Sequence, residues 1–217
     1  MANHPFQRYL ITRDNYFENP ADVILLSNNV PYSTASYYPG LRSENLMFSE
    51  DPKVKGFADY FSNRVSYDVF PGIRNYHIDI FFHINKVYDD AELNQGWVHT
   101  DDATLAGLIY LTPTESNFDT GTSIFLGEGT PNLRDKEVFS QLNLYGIVEE
   151  DYKQRLQENR NCFKETIRIG NQYNRMVGYD SKMYHCPNTY KTTTDIRKTL
   201  LFFIYSFDHI NNGLNTI

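Results

Sequence analysis

The sequence predicts a mainly β fold with flanking helices, an antiparallel sandwich or jelly roll, and three observations carry that expectation. From residue 74 onward, apolar residues recur with a period of two in six stretches bounded by Gly, Pro, Asn or Asp. A single helical pattern, 149–160, interrupts them, so strands and helices do not alternate as parallel βαβ units would require. The aromatic share is 15%, with 17 Tyr and 15 Phe among 217 residues, which supplies core volume and argues against disorder.

Taken in order, the first sixty-odd residues mix helical and loop signals. "NPADVILLSNN" places Pro20 near a helix start, and "SEDPKVKGFADYFSN" offers Ser49 as a cap for a second helix. Residues 1–70 are therefore expected to form a helical wrapper. The strands "NYHIDIFFHIN", "LAGLIYLTP", "GTSIFLG", "KETIRIG", "YNRMVGYD" and "RKTLLFFIYSF" build a core over residues 74–208. No repeat, low-complexity tract or Gly/Ser linker divides the chain, and its length suits one domain.

Charge narrows the function classes. The balance of 20 Lys plus Arg against 27 Asp plus Glu gives a net charge of −7 without a basic cluster, which disfavours a nucleic-acid partner. No charged segment leads into an apolar one at the N-terminus. The longest strongly apolar run, "LLFFIY" (200–205), is too short to span a bilayer. The expectation is a protein without membrane association, cytoplasmic and, from the abundance of Asn and scarcity of Ala, of bacterial or viral origin. Cys162 and Cys186 are too few for a disulfide framework and are expected to be reduced thiols.

The chemistry concentrates around "GWVHTDDATLAGLIYLTP" (96–113). Residues two apart on a strand share a face, so His99 and Asp101 can reach one ion. Such a pair is weak alone: with six His and sixteen Asp in the chain, chance supplies roughly 0.4 of them. A second, His77 with Asp79, does occur in "YHIDIFF". What separates the two is His185, downstream in "YNRMVGYDSKMYHCPN" and just before a Pro-containing turn. Two imidazoles and one carboxylate with open positions left over are the donor set of non-haem Fe(II) oxygenases. Arg197 begins "RKTLLFFIYSF" in phase with Thr199, Leu201 and Phe203, so it points toward the core, whereas Lys198 points away. A buried guanidinium needs an anion.

The ordered set "HTD", "LIYLTP" leading to "GTSIF", "YNRMVGYDSKMYH" and "RKTLLFF" resembles the Fe(II)/2-oxoglutarate-dependent oxygenases, in particular their prolyl 4-hydroxylase-like branch, over residues 74–208. The N-terminal "FENPADVILLSNN" and "YPGLRS" look similar to an uncharacterised bacterial and phage group within that superfamily. The resemblance implies a double-stranded β-helix (jelly roll, cupin-like), with iron held by His99, Asp101 and His185 as the catalytic centre. It implies 2-oxoglutarate and O2 as cosubstrates, with Arg197 on the distal carboxylate of 2-oxoglutarate. Tyr110 stands where such enzymes place a tyrosine that bonds the same carboxylate, and His83 stands where they place cosubstrate or substrate contacts. The sequence departs from the pattern at "DTGTSIF", where the family often carries a Gly-Gly pair.

Bland alternatives stand beside these readings. His77 and Asp79 are expected to line the pocket or face solvent, because a triad is complete without them. His83 can be a hydrogen-bonded sheet histidine, and Tyr110 can be core. Cys186 neighbours His185 and so should face the opposite side of its strand. Trp97 and the acidic loop 87–96 are candidates for a lid, with a solvated connection as the default. The function expected is 2-oxoglutarate-dependent hydroxylation of a peptide or small molecule. The alternative is a jelly-roll module that holds a metal or carboxylate without turnover. A zinc hydrolase shares the ligand set but has no use for Arg197.

Overall fold

The computed structural model describes residues 5–34, 40–86, 94–113, 117–127, 150–189 and 196–209. The elements are β1 (Leu10–Arg13), α1 (Pro20–Asn28), β2 (Tyr32–Thr34), β3 (Leu41–Ser43), α2 (Pro52–Arg64), β4 (Ile73–Lys86), β5 (Leu105–Tyr110), β6 (Asn117–Gly127), α3 (Glu150–Asn161), β7 (Phe163–Asn171), β8 (Met176–Asp180), β9 (Tyr184–Pro187) and β10 (Ile196–His209). A 3-10 turn precedes α2 and a π turn, Val65–Val69, continues it. Seven strands form one antiparallel sheet in the order β1-β8-β5-β10-β4-β3-β2, and three form a smaller one in the order β7-β6-β9. Two antiparallel sheets of this interleaved order are a jelly roll, as the sequence pattern predicts.

The large sheet buries both faces, and the period of two sorts its side chains between them. Ile78, Ile80 and Phe82 of β4, Leu105 and Ile109 of β5, and Leu200, Phe202 and Ile204 of β10 turn outward into one core with Val54, Ala58, Phe61, Val65 and Phe70 from the N-terminal part. The alternate residues Ala106, Leu108 and Tyr110 turn inward and pack with Val177, Tyr179 and, from the smaller sheet, Ile169. Gly107 lies opposite Phe202 on β10; a Cβ there would sit 2.2 Å from the Phe202 ring and 2.4 Å from the Val177 carbonyl oxygen. The absence of a side chain lets that ring lie flat on the sheet.

The N-terminal part differs from a purely helical wrapper. Three short strands join the edges of the large sheet, β1 against β8 and β2–β3 against β4. Strands of three or four residues at an edge bury too few side chains to leave a period in the sequence. The cap of α2 also differs. Asp51, not Ser49, accepts from the Lys53 and Val54 amides, because Pro52 occupies the first helical position and the cap is the residue before it. Along α2, Val54, Ala58, Phe61 and Ser62 are buried, the spacing of one helical face. Among the described residues no helix is long and apolar enough to cross a membrane.

Phe61 is the hub of the outer core: fully buried, with its ring 5.5 Å from Phe202 and 6.0 Å from Phe17. Phe61→Ala is expected to lower the unfolding free energy by about 3–5 kcal/mol, read from urea titration with an unchanged slope.

Candidate metal and carboxylate site

Between the sheets lies a cavity of about 370 Å³, lined on the large-sheet side by Asp79, Phe81, His83 and Asn85 of β4 and by Arg197, Leu201 and Phe203 of β10. These are the inward-facing residues of two neighbouring strands, paired Arg197 with Asn85, Thr199 with His83 and Leu201 with Phe81. His99, Asp101, His185, Thr122 and Trp97 line it from the other side.

His99, Asp101 and His185 come together there from two segments distant in sequence. The turn after β8 switches the chain from the large sheet to the small one, where His185 sits on β9. Opposite it, the segment before β5 makes one antiparallel bridge: the His99 amide donates to the His185 carbonyl at 3.0 Å and the His185 amide donates to the His99 carbonyl at 2.9 Å. Two side chains on directly opposed residues project to the same face, and the imidazole centroids stand 4.5 Å apart. Asp101 is fixed two residues on, its amide donating to the Ser181 carbonyl at 3.0 Å, while the Lys182 ammonium donates to the Asp101 carbonyl at 2.9 Å.

The donors are oriented as well as gathered. His99 Nδ1 lies 2.7 Å from the Trp97 carbonyl oxygen and His185 Nδ1 lies 2.8 Å from that of Met183. A carbonyl only accepts, so each Nδ1 carries the proton, and in the neutral ring the lone pair is left on Nε2. Those Nε2 atoms lie 3.6 Å (His99) and 3.1 Å (His185) from the two oxygens of Asp101, and one ligand atom from each residue falls within 4.8 Å of the others. Adjacent ligands of an octahedral ion sit roughly 3 Å apart, so the donor set fits an ion of that kind.

Arg197 supplies the second feature. It is 4% exposed, yet its Nε and Nη2 have no hydrogen-bond partner among the described residues, and Nη1 lies at a long 3.5 Å from Asn85 Oδ1. Tyr110 lies against it, with the guanidinium carbon 5.3 Å from the ring centroid. The Tyr110 hydroxyl is fully buried and bonds Thr122 Oγ1 at 2.8 Å, and burial pushes its pKa above the usual phenol value. Tyr110 therefore packs beside the guanidinium rather than forming the cavity wall. Lys198 points the other way: its ammonium reaches Ser27 Oγ and Asn28 Oδ1 of α1.

The remaining candidates separate. His83 is 7% exposed and lines the cavity. Asp79 lines it too, while His77 lies farther along β4 with its side chain 57% exposed; their nearest atoms are 3.4 Å apart, and Asp79 accepts from Asn45 Nδ2 at 2.6 Å. They do not join the three-residue cluster. Cys186 turns away from His185 into an apolar group with Val98, Phe125 and Phe163, where burial pushes the thiol up to about 11. Trp97 lines the cavity and is 4% exposed; of the loop 87–96, residues 87–93 lie outside the described residues. Two residues received no role at the site from the sequence. Thr199, in phase with Arg197, is fully buried with its hydroxyl unpartnered among the described residues, and the alternation of β10 was the signal. Arg42 reaches the cavity from β3 with its guanidinium carbon 5.2 Å from the Phe81 ring centroid, and no local pattern announces it because β3 leaves none.

Residues 4–197 match the model of a protein family described as a family of unknown function, DUF6445. The chain belongs to that family. No curated protein matches its sequence. Solved structures resemble it in fold. HygX from Streptomyces hygroscopicus, with nickel and 2-oxoglutarate bound, is 11% identical with a TM-score of 0.55, over 91% of this chain and 83% of that one; a HygX structure that also holds hygromycin B gives 0.56 at 10% identity, over the same shares. An oxidoreductase of the 2OG-Fe(II) oxygenase family from Burkholderia pseudomallei is 12% identical with a TM-score of 0.51, over 90% and 84%. The carbocyclase SnoK from nogalamycin biosynthesis, described as non-haem and α-ketoglutarate-dependent, is 9% identical with a TM-score of 0.51, over 93% and 80%. The structural neighbours are thus Fe(II)/2-oxoglutarate oxygenases, and at these identities the likeness is one of fold.

Asp101→Ala and His185→Ala are each expected to abolish tight Fe(II) or Co(II) uptake in equilibrium dialysis, whereas His77→Ala should retain it. Retention in the Asp101 variant with loss in the His77 variant would place the metal on the other pair.

Proposed function

We propose that this member of the DUF6445 family is an Fe(II)/2-oxoglutarate-dependent dioxygenase that hydroxylates a small-molecule or peptide substrate. The observation that supports it most is the occurrence, in one cavity, of a two-His, one-Asp cluster and a buried arginine whose Nε and Nη2 have no partner among the described residues. A structural metal site accounts for the first and leaves the second unexplained. The ordered sequence motifs favour the prolyl 4-hydroxylase-like branch of the superfamily.

His99, Asp101 and His185 would hold Fe(II) through Nε2, a carboxylate oxygen and Nε2, a set that leaves positions free for the keto-acid and O2. Iron bound there supplies the O2 chemistry that couples decarboxylation of 2-oxoglutarate to oxidation of a substrate C–H bond. The chain's own tasks are positional. Arg197 offers Nε and Nη2 to the distal carboxylate in a charge-assisted, two-pronged bond, and the Thr199 hydroxyl completes its coordination. The ring of Tyr110 holds the guanidinium in place from the side. Leu108, Leu201 and Phe203 give the same cavity an apolar wall that keeps water from the cosubstrate. The substrate enters past Arg42, Asp79 and Tyr205.

Anaerobic addition of Fe(II) and then 2-oxoglutarate is expected to give a weak visible charge-transfer band, and aerobic incubation to release succinate; a chain that binds Fe(II) without either would be a binding module. Arg197→Ala leaves the distal carboxylate buried and unpaired, which should weaken 2-oxoglutarate binding by about 2–5 kcal/mol, or roughly thirtyfold to several thousandfold. Lys198→Ala, on the opposite face, should leave it unchanged. Titration of 2-oxoglutarate against the Fe(II)-loaded variants reads both.

A further inference from the structure

We infer that Asn159, in the last turn of α3, is a positioning residue for the metal ligand His99. This rests on the reading of His99, Asp101 and His185 as a metal site. Among the described residues no strand flanks Val98 on the side away from β9, yet its backbone groups are satisfied there. Its amide donates to Asn159 Oδ1 at 2.8 Å and its carbonyl accepts from Asn159 Nδ2 at 3.1 Å. A carboxamide presents an acceptor and a donor side by side, as a peptide group does, so one side chain takes the place of a strand. Both residues are buried, Val98 fully and Asn159 with 2% exposed. The next residue of α3 repeats the contact: Arg160 Nη1 donates to the Gly96 carbonyl at 2.7 Å and lies 3.5 Å from Cys186 Sγ.

Residues 96–99 are thus clamped from two sides. On one side β9 holds Gly96 through the Pro187 carbonyl and His99 through the two bonds to His185. On the other, α3 holds Gly96 and Val98. Gly96 marks how tight the fit is, since a Cβ there would lie 2.6 Å from Pro187 atoms. In an extended segment, residue 98 offers its backbone groups to one side and residue 99 to the other. The bond to Asn159 therefore decides how far the peptide before His99 can rotate. The Trp97 carbonyl, which fixes the His99 tautomer, shares its peptide with the Val98 amide, so the bond from that amide to Asn159 Oδ1 also keeps the carbonyl in line with Nδ1.

The structure supplies its own control. Asn174 makes the same double bond to another backbone, accepting from the Phe17 amide at 2.9 Å and donating to the Phe17 carbonyl at 2.8 Å, on the far side of the large sheet. Removing either carboxamide leaves two buried backbone groups unpaired and should lower thermal stability. Only Asn159→Ala should also weaken Co(II) binding, by about tenfold, the lower end of what outer-sphere partners of metal ligands contribute, and shift the visible Co(II) spectrum.

Co(II) titration of the full chain, at a temperature where circular dichroism shows each variant folded, is the test. Arg160→Met, which removes the bond to Gly96 and the longer contact to Cys186 Sγ but keeps the bond from Asn159, gives a second reading should Asn159→Ala fail to fold, with a loss of severalfold expected. Equal Co(II) affinity in wild type, Asn159→Ala and Arg160→Met, or an equal loss in Asn159→Ala and Asn174→Ala, overturns the positioning role and leaves the metal site standing. A wild-type chain that takes up no Co(II) overturns both.

Discussion

Strand β10 is bonded on both edges and covered on both faces, and this constraint orders the rest of the molecule. A strand so placed cannot slip by one residue without exchanging its two sets of side chains. In the register observed, Leu200, Phe202 and Ile204 meet the N-terminal helices while Arg197, Leu201 and Phe203 meet the cavity, with Thr199 buried in phase with them. The exchanged register would press a guanidinium into the aromatic core around Phe61 and open the apolar face to the cavity. Arg197 Nε and Nη2 have no hydrogen-bond partner among the described residues in the observed register either, so it is the packing of Leu200, Phe202 and Ile204 around Phe61, and the open space the cavity leaves beside the guanidinium, that specify the phase. Because β4 and β5 flank β10, their inward sets follow: Asp79, Phe81 and His83 on one side, Ala106, Leu108 and Tyr110 on the other.

The cavity has two unlike ends. Toward Arg197 it is closed, with Tyr110 and Thr122 bonded to each other behind the guanidinium. Toward Arg42, Asp79 and Tyr205 it is polar, and the Tyr205 hydroxyl is pushed up to about 12 by burial and by the Asp79 carboxylate, to which it is bonded. The three-residue cluster lies on the facing wall. Such a polarity would orient a ligand with one anionic end, which is what preorganisation requires of a binding site.

The cluster itself depends on backbone, not on long side chains. His99 and His185 are opposed residues of a single bridge, and the carbonyls of Trp97 and Met183, each two residues before its histidine, take the ring protons. The same two-residue offset at both histidines means that one local geometry, an extended segment turning back on its own side chain, is used twice. Lys182 ties the Asp101 loop to the turn that delivers His185. Few of these bonds use the side chains that give the motif its identity, so the scaffold can tolerate much sequence variation around the three clustered residues.

What the sequence determined by itself was whatever follows from short-range period and order. Alternation marked the strands of the core and put Arg197 and Lys198 on opposite faces; His99 and Asp101 two apart, followed by His185, marked the cluster; the helical pattern of 149–160 marked α3. The tertiary structure alone decided the rest, because it depends on pairings far apart in the chain. β1, β2 and β3 are too short to carry a period and exist as strands only because β8 offers an edge to β1, β4 to β3, and β3 in turn to β2. Two identical-looking pairs, His77 with Asp79 and His99 with Asp101, differ only in what lies opposite: β10 faces the first, and His185 on β9 faces the second. The bond from Asn159 to Val98 joins a helix end to a segment 61 residues earlier, and no local pattern in either stretch encodes it.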